Sequence, residues 1–352
     1  MVAYILLYLM TQSASAFAHY PPVGFDYWNL PTGSRIAYVR YPAAPPAKLS
    51  PVVFLHGGPG AYLVNHLPVV DQFYRSIATL GLDVYIYDQV GSGHSERLTD
   101  PRQYTVDRHV RDLEAIRQRI GADRLILVGD SWGATLGANY IAAHPDRCAK
   151  AIFSSPGALD STGIPGGSYY EDAPMAKSAE EWFAGLYSQP RYRKLGDILA
   201  ADVPSEYRLH PDVEMDSQLD AFVQRSLPFL VCDPTRLPAG ESVHGMGWWA
   251  NLMTGVDFAR RKQISRKITK IPILILRGGC DYMRWEVVLQ YRVRFPESIL
   301  LYVPDAGHAF GYDQPQLYAS AVRAFLLNQS LPVRPYEGTA APPRVTPRAV
   351  LK

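Results

Sequence analysis

Leu125-Ile126-Leu127-Val128-Gly129-Asp130-Ser131-Trp132-Gly133 is the stretch whose reading decides the fold. Four apolar residues in a row predict a short buried strand. Gly-Asp-Ser-Trp-Gly then fits G-x-S-x-G, and Ala134 to Ala143 reads as a helix that stops at His144-Pro145. Strand, tight turn and helix are the context this motif requires. A serine raised on such a turn sits in a strained backbone conformation. Its neighbours two before and two after lie against crossing backbone, where glycine fits. The N-terminal N–H groups of the following helix favour negative charge beside the serine.

The flanking sequence repeats the same alternation. Arg35 to Tyr41, Val52 to Leu55, Val84 to Tyr87 and Ala149 to Phe153 read as strands. Leu67 to Leu80 carries Val70, Phe73, Ile77 and Leu80 at helical spacing, and a helix from Thr105 carries Val106, Val110, Leu113 and Ile120 before Gly121 ends it. Strands alternating with helices predict an α/β class with a mostly parallel sheet covered on both faces. The pattern breaks at Ser154. Residues 156–267 hold no clear strand and are rich in aromatics, Pro and acids, which predicts a helical cap inserted over the sheet. Alternation resumes with Ile271 to Leu276, Ser298 to Val303 and the helix Leu317 to Leu327. The core is therefore expected over 25–155 and 268–330. The tail 331–352, rich in Pro and Ala and without periodicity, is expected to be disordered.

The 352 residues are 47% hydrophobic and carry a net charge of +2, which suffices for a large core. No basic block stands out, so nucleic acid is not an expected partner. Cys148, Cys232 and Cys280 are odd in number and far apart, which argues against a disulfide framework and against a C-x-x-C metal site. Residues 1–18 differ from the rest. An apolar run from Val2 to Met10 precedes small polar residues and Ala16-Phe17-Ala18, an order like that of a signal peptide, without Lys or Arg before the run. The expectation is export or membrane association through this segment alone, with a cytoplasmic location as the alternative.

A serine hydroxyl needs a base to take its proton. His308, in Pro304-Asp305-Ala306-Gly307-His308, lies just past the last strand, where the sites of open α/β sheets gather. Asp281 follows the strand Ile273 to Leu276 and can orient His308. Asp305 and Asp313 are the alternative acids, but Asp305 is too close in sequence to His308 to reach its far ring nitrogen easily. The oxyanion of acyl transfer needs N–H donors. These are expected from Trp132 and from Gly58 in His56-Gly57-Gly58-Pro59-Gly60. His56 has no partner at ligand spacing, so no metal is expected. Gly91-Ser92-Gly93 lacks the third glycine and downstream acid of a nucleotide loop.

His56-Gly57-Gly58-Pro59-Gly60, Asp88-Gln89-Val90-Gly91-Ser92-Gly93-His94-Ser95 and Gly129-Asp130-Ser131-Trp132-Gly133 resemble, in order and spacing, the signature segments of the proline iminopeptidase family. The resemblance covers about 25–156 and 271–327. It implies an α/β-hydrolase fold with a helical cap, removal of N-terminal residues such as proline, no cofactor, and triad roles for Ser131, Asp281 and His308. Val90 departs from the usual Arg, and Asp130 from the usual small residue. Aminopeptidases of that family hold the substrate ammonium with cap carboxylates. The candidates here are Glu206, Glu214, Asp216, Asp220 and Glu241, with Glu241 foremost because it lies in a Gly-rich, aromatic-flanked stretch.

The expected partner is thus a small peptide or amino-acid derivative. An esterase, lactonase or amidase acting on substrates without a free amine keeps the same triad. A triad-bearing protein that only binds is the reading from another class.

Overall fold

Strand β5, Leu125–Asp130, runs inside an eight-stranded sheet because Leu125 to Val128 have no polar side chain and are covered on both faces. The other strands are β1 (Asp26–Asn29), β2 (Arg35–Tyr41), β3 (Val52–Leu55), β4 (Val84–Tyr87), β6 (Cys148–Ser154), β7 (Ile273–Gly278) and β8 (Ile299–Val303). Their spatial order is β1-β2-β4-β3-β5-β6-β7-β8. β2 pairs antiparallel with β1 and β4, and all other pairs are parallel. This computed structural model describes residues 24–46, 50–64, 68–160, 164, 169–170, 174–190, 192, 211–238, 242–261 and 270–348.

Alternation along β5 divides the core. Leu125 and Leu127 face one cluster, with helices α2 (Val106–Ile120), α3 (Trp132–Ala143) and α7 (Trp285–Arg294). Ile126 and Val128 face the other, with α1 (Pro68–Ala78), the short α8 (Phe310–Asp313) and α9 (Pro315–Leu326). The α2 boundaries follow from its caps. The Thr105 side chain accepts from the Arg108 N–H, and Gly121 ends the helix in the left-handed conformation at φ 74°. Three helices occupy the inserted region among the described residues: α4 (Pro174–Ser188), α5 (Asp212–Ser226) and α6 (Trp248–Arg260). The described part also makes one β-bridge, Tyr170 to Met283.

Two expectations are corrected. Cys232 and Cys280 form a disulfide across 48 residues, and only Cys148 of the three is a free thiol. An odd count says nothing about a single pair, and the stretch of the insertion between α5 and α6 passes beside the end of β7. The tail over 331–348 is not disordered. It has no helix or strand, yet Tyr336 N–H donates to Leu300 O, Val345 N–H to Gly279 O and Arg348 N–H to Cys232 O. The Trp285 indole N–H also donates to Thr339 O at 3.0 Å. Backbone hydrogen bonds to the β7–β8 side supply an order that side-chain periodicity does not encode. The segment 1–18 lies outside the described residues, as do 349–352. Among the described residues no helix is long and apolar enough to cross a membrane.

Candidate active site

Ser131 joins β5 to α3 at φ 52° and ψ −118°, a region that L-residues seldom adopt. The turn is held from both sides. Ser131 N–H donates to Ser154 O at 3.0 Å, and Ser131 O accepts from Ala134 and Gly157 N–H at 3.0 and 2.9 Å. The glycines flanking it are required by close approach. A Cβ on Gly133 would lie 1.9 Å from Leu55 O, and one on Gly129 would lie 2.5 Å from the Gly133 backbone.

The other two motif segments converge on this turn. A Cβ on Gly57 would come within 3.2 Å of the Ser131 Cβ, so the Gly57-Gly58 backbone passes directly beside the serine. Gln89 ties the three segments together. Its backbone N–H donates to His56 Nε2 at 2.8 Å, its side-chain amide donates to His56 O at 3.1 Å, and its Oε1 accepts from the Trp132 indole N–H at 2.9 Å. His56 is accordingly a buried structural residue, with Nδ1 2.9 Å from Gly57 O. Asp88 accepts from the N–H groups of Leu63, Val64 and His94, and a Cβ on Gly93 would strike its carboxylate. Burial outweighs these bonds and pushes its pKa up to about 6.

Asp281 and His308, from the loops after β7 and β8, meet as the sequence order suggests. His308 Nδ1 lies 2.9 Å from Asp281 Oδ1, both residues being buried. Asp281 Oδ1 also accepts from Met283 N–H at 3.0 Å, and its Oδ2 lies 2.6 Å from a guanidinium nitrogen of Arg277. Arg277 is a member of the site that sequence reading did not select. It is buried at the end of β7, and its other guanidinium nitrogen donates to Met283 O. A buried arginine four residues before a candidate acid is the signal that could have found it. Burial opposes ionisation of Asp281, but Arg277 and His308 override it and bring its pKa down to about 2. Burial also works against the His308 imidazolium. The Asp281 charge and hydrogen bond, with Asp130, override that and hold the imidazole above its ordinary value.

The alternative acids serve elsewhere. Asp305 pairs with Arg236 at 2.5 Å on the surface. Asp313 ends α8, and its buried carboxylate accepts from the N–H groups of Cys232, Asp233 and Gly307. It thereby joins the stretch between α5 and α6 to the residue before His308. The Cys232–Cys280 disulfide joins that same stretch to the residue before Asp281.

The cap acids separate into three groups. Asp220 accepts from Gly245 and Met246 N–H, and Asp216 accepts from Trp248 N–H at 2.8 Å while pairing with Arg97 at 2.9 Å. These bonds fix the 242–248 segment against α5. The same segment is laced to the glycine loop by Gly247 N–H to Gly60 O at 2.7 Å, and α6 adds the Asn251 amide to Pro59 O at 2.6 Å. Glu214 accepts from the Tyr192 hydroxyl at 2.5 Å. Glu206 and Glu241 lie outside the described residues. Among the described residues no group of three His, Cys, Asp or Glu could hold a metal ion.

A serine on a strained turn, a histidine on a buried carboxylate and a glycine loop beside the serine make an arrangement suited to acyl transfer. A proline iminopeptidase of Heyndrickxia coagulans is 35% identical over 127 residues, 36% of this chain and 41% of that protein. The match thus spans less than half of that relative. A probable proline iminopeptidase of Leptolyngbya boryana is 27% identical over 279 residues, 74% of this chain and 81% of the relative. Among solved structures, an esterase from Exiguobacterium antarcticum superposes with a TM-score of 0.60 at 16% identity, covering 86% of this chain and 98% of that one. An epoxide hydrolase from Bacillus megaterium gives 0.60 at 16% identity, covering 86% and 100%. Residues 50–315 match the family described as alpha/beta hydrolase fold. The eight-stranded sheet, the serine turn at the end of β5 and this match over most of the chain agree, and the protein belongs to the α/β-hydrolase fold family.

Proposed function

We propose that this protein is a serine hydrolase that releases N-terminal residues, proline or similar, through an acyl-enzyme on Ser131. His308 takes the Ser131 proton as the hydroxyl attacks the carbonyl and returns it to the departing amine. Water, activated by the same imidazole, then frees the acyl group. Asp281 orients the ring and stabilises its charged form, and the Gly58 and Trp132 N–H groups receive the oxyanion. The observation that carries the reading is the 2.9 Å His308–Asp281 contact, on loops at the same sheet end as the strained Ser131 turn. The aminopeptidase part rests on the named relatives and on the acid-rich cap. An ammonium in a partly dry pocket needs a carboxylate partner.

One observation favours a second reading. Asp216 and Asp220 are spent on backbone N–H groups and Arg97, and Glu214 holds the Tyr192 hydroxyl. Without a further cap acid, the same machinery would act on esters or amides lacking a free amine. Prolyl and alanyl arylamides, free and N-acetylated, separate the two. Cleavage of only the free forms supports the aminopeptidase, and Glu241→Gln should then lower kcat/KM for them while sparing aryl esters. Equal rates on free and blocked forms replace it with the esterase or amidase. Failure of a fluorophosphonate to label Ser131 in folded protein favours a binding protein.

A further inference from the structure

We propose that Asp130 is a positioning residue for His308, a second carboxylate whose charge stabilises the imidazolium formed when Ser131 gives up its proton. This rests on the reading of Ser131, His308 and Asp281 given above.

The placement follows from the strand. Ile126 and Val128 of β5 face the α1–α9 side of the sheet, so alternation sends the Asp130 side chain to that side at the strand's end. Ala306 and Phe310, on either side of His308, belong to the same cluster. Asp130 Oδ2 lies 3.6 Å from where a Gly57 Cβ would stand, the position that is also 3.2 Å from the Ser131 Cβ. The carboxylate is therefore beside the nucleophile and the glycine loop, across the register from Ser154 of β6.

Its surroundings are poor in positive charge. Among the described residues, the groups that interact electrostatically with it are His308 and Asp281, the Ser154 hydroxyl, and the phenols of Tyr74 on α1, Tyr318 on α9 and Tyr282 beside His308. The Tyr282 ring lies 4.4 Å from the His308 ring. Arg277 is committed to Asp281 at 2.6 Å. Among these described groups, His308 alone can become a cation. Burial raises the Asp130 pKa to about 6, so its ionisation at neutral pH is costly to the fold.

Charge counting gives that cost a purpose. With Asp130 and Asp281 ionised and Arg277 protonated, the buried cluster carries one net negative charge while His308 is neutral. It becomes neutral when the Ser131 proton arrives on His308. The cluster thus matches the charge of the transition state better than that of the resting enzyme. In acid, His308 and Asp130 both take protons, and the limb of the pH profile belongs to the pair.

The test compares wild type with Asp130→Asn, which keeps shape and removes charge. The rate of fluorophosphonate labelling of Ser131 and kcat/KM for a prolyl arylamide or an aryl ester are followed from acid to neutral pH. Loss of the negative charge lowers the His308 pKa, so the acid limb moves to lower pH by about one unit, and plateau kcat falls about tenfold with KM little changed. The variant also melts at or above the wild-type temperature at pH 8, because an unfavourably buried charge is gone. Lower turnover in a protein no less stable is a result that a structural role does not produce. Asp130→Ser is the second variant should the amide fold poorly, and the same shift is expected. An unmoved acid limb with wild-type kcat overturns the proposal while leaving the triad intact. Wild type that is not labelled at Ser131 at any pH overturns both.

Discussion

Asp281→Asn is the substitution whose consequences the site geometry fixes most closely. The carboxylate is buried, receives His308 Nδ1 at 2.9 Å and touches Arg277 at 2.6 Å. An amide there can offer its NH2 to His308 and hold the wrong tautomer for accepting the Ser131 proton. The expected loss in kcat is on the order of 10³–10⁴. Stability changes in step. The folded-state pKa of Asp281 is depressed from 3.8 to about 2. A depressed carboxyl contributes stability that is present above its unfolded pKa and lost as pH falls through the folded one. The contribution is about 2 kcal/mol at neutral pH. Removing it also leaves Arg277 without its anion, and breaking a buried pair costs about 3–5 kcal/mol. Thermal melts from pH 2 to pH 7 should therefore show wild type losing stability below about pH 4, and the variant starting lower with a flatter acid limb. The residual activity should keep its acid limb at lower pH than wild type, because Asp281 is the main group holding His308 high. A variant with about a tenth or more of wild-type turnover would refute the role given to the Asp281–His308 contact.

Ser131→Ala should abolish turnover and fluorophosphonate labelling while circular dichroism stays unchanged, since one hydroxyl is removed from a turn that backbone bonds hold. In wild type, the acid limb of kcat/KM should lie at or above the ordinary histidine value near pH 6.5, where His308 loses its base form. A rate independent of pH across that range would exclude His308 as the base. Thiol titration of denatured, unreduced protein should find one free thiol, Cys148, and three after reduction. Replacing Cys232 and Cys280 together by Ser should cost about 4 kcal/mol for a loop of this length, read as a lower denaturant midpoint. Truncation after Leu331 should lower the melting temperature and expose Trp285, seen as a red shift of its fluorescence, because Thr339 no longer receives its indole N–H.

The sheet was legible wherever a strand is buried on both faces. Val52 to Leu55, Val84 to Tyr87 and Leu125 to Val128 are unbroken apolar runs, and no other element accommodates them as well. β1 was missed because Asp26-Tyr27-Trp28-Asn29 is an edge strand with two polar ends, held through pairing with β2. Ser131, Asp281 and His308 could be chosen as candidates because each follows a strand and their order is informative. Arg277, the Cys232–Cys280 pair and the ordered tail were not legible. Each depends on a contact between segments far apart in the chain or lacking any periodic signature. Asp313 shows the same limit. It stands as an alternative acid in the sequence, while its carboxylate holds Gly307 and the stretch around Cys232.

The insertion is tied to the glycine loop and to the loops that carry the candidate triad more than a cap resting on a sheet need be. Its 242–248 segment bonds the glycine loop beside Ser131, and Cys232, between α5 and α6, bonds the residue before Asp281 covalently. The Cys232 N–H also shares the Asp313 carboxylate with the residue before His308. The loops after β3, β7 and β8 therefore feel the position of the insertion. The acids that make these ties cannot also receive an ammonium without releasing buried N–H groups, each of which costs about 1–3 kcal/mol when left unpaired. Asp216 and Asp220 are thus scaffolding, and amine recognition, if the protein has it, falls to a carboxylate outside that scaffold. A substitution such as Asp220→Asn should consequently lower stability and kcat on every substrate alike, leaving the ratio of free to N-acetylated arylamide cleavage where it was. A change in that ratio would return Asp220 to the binding pocket.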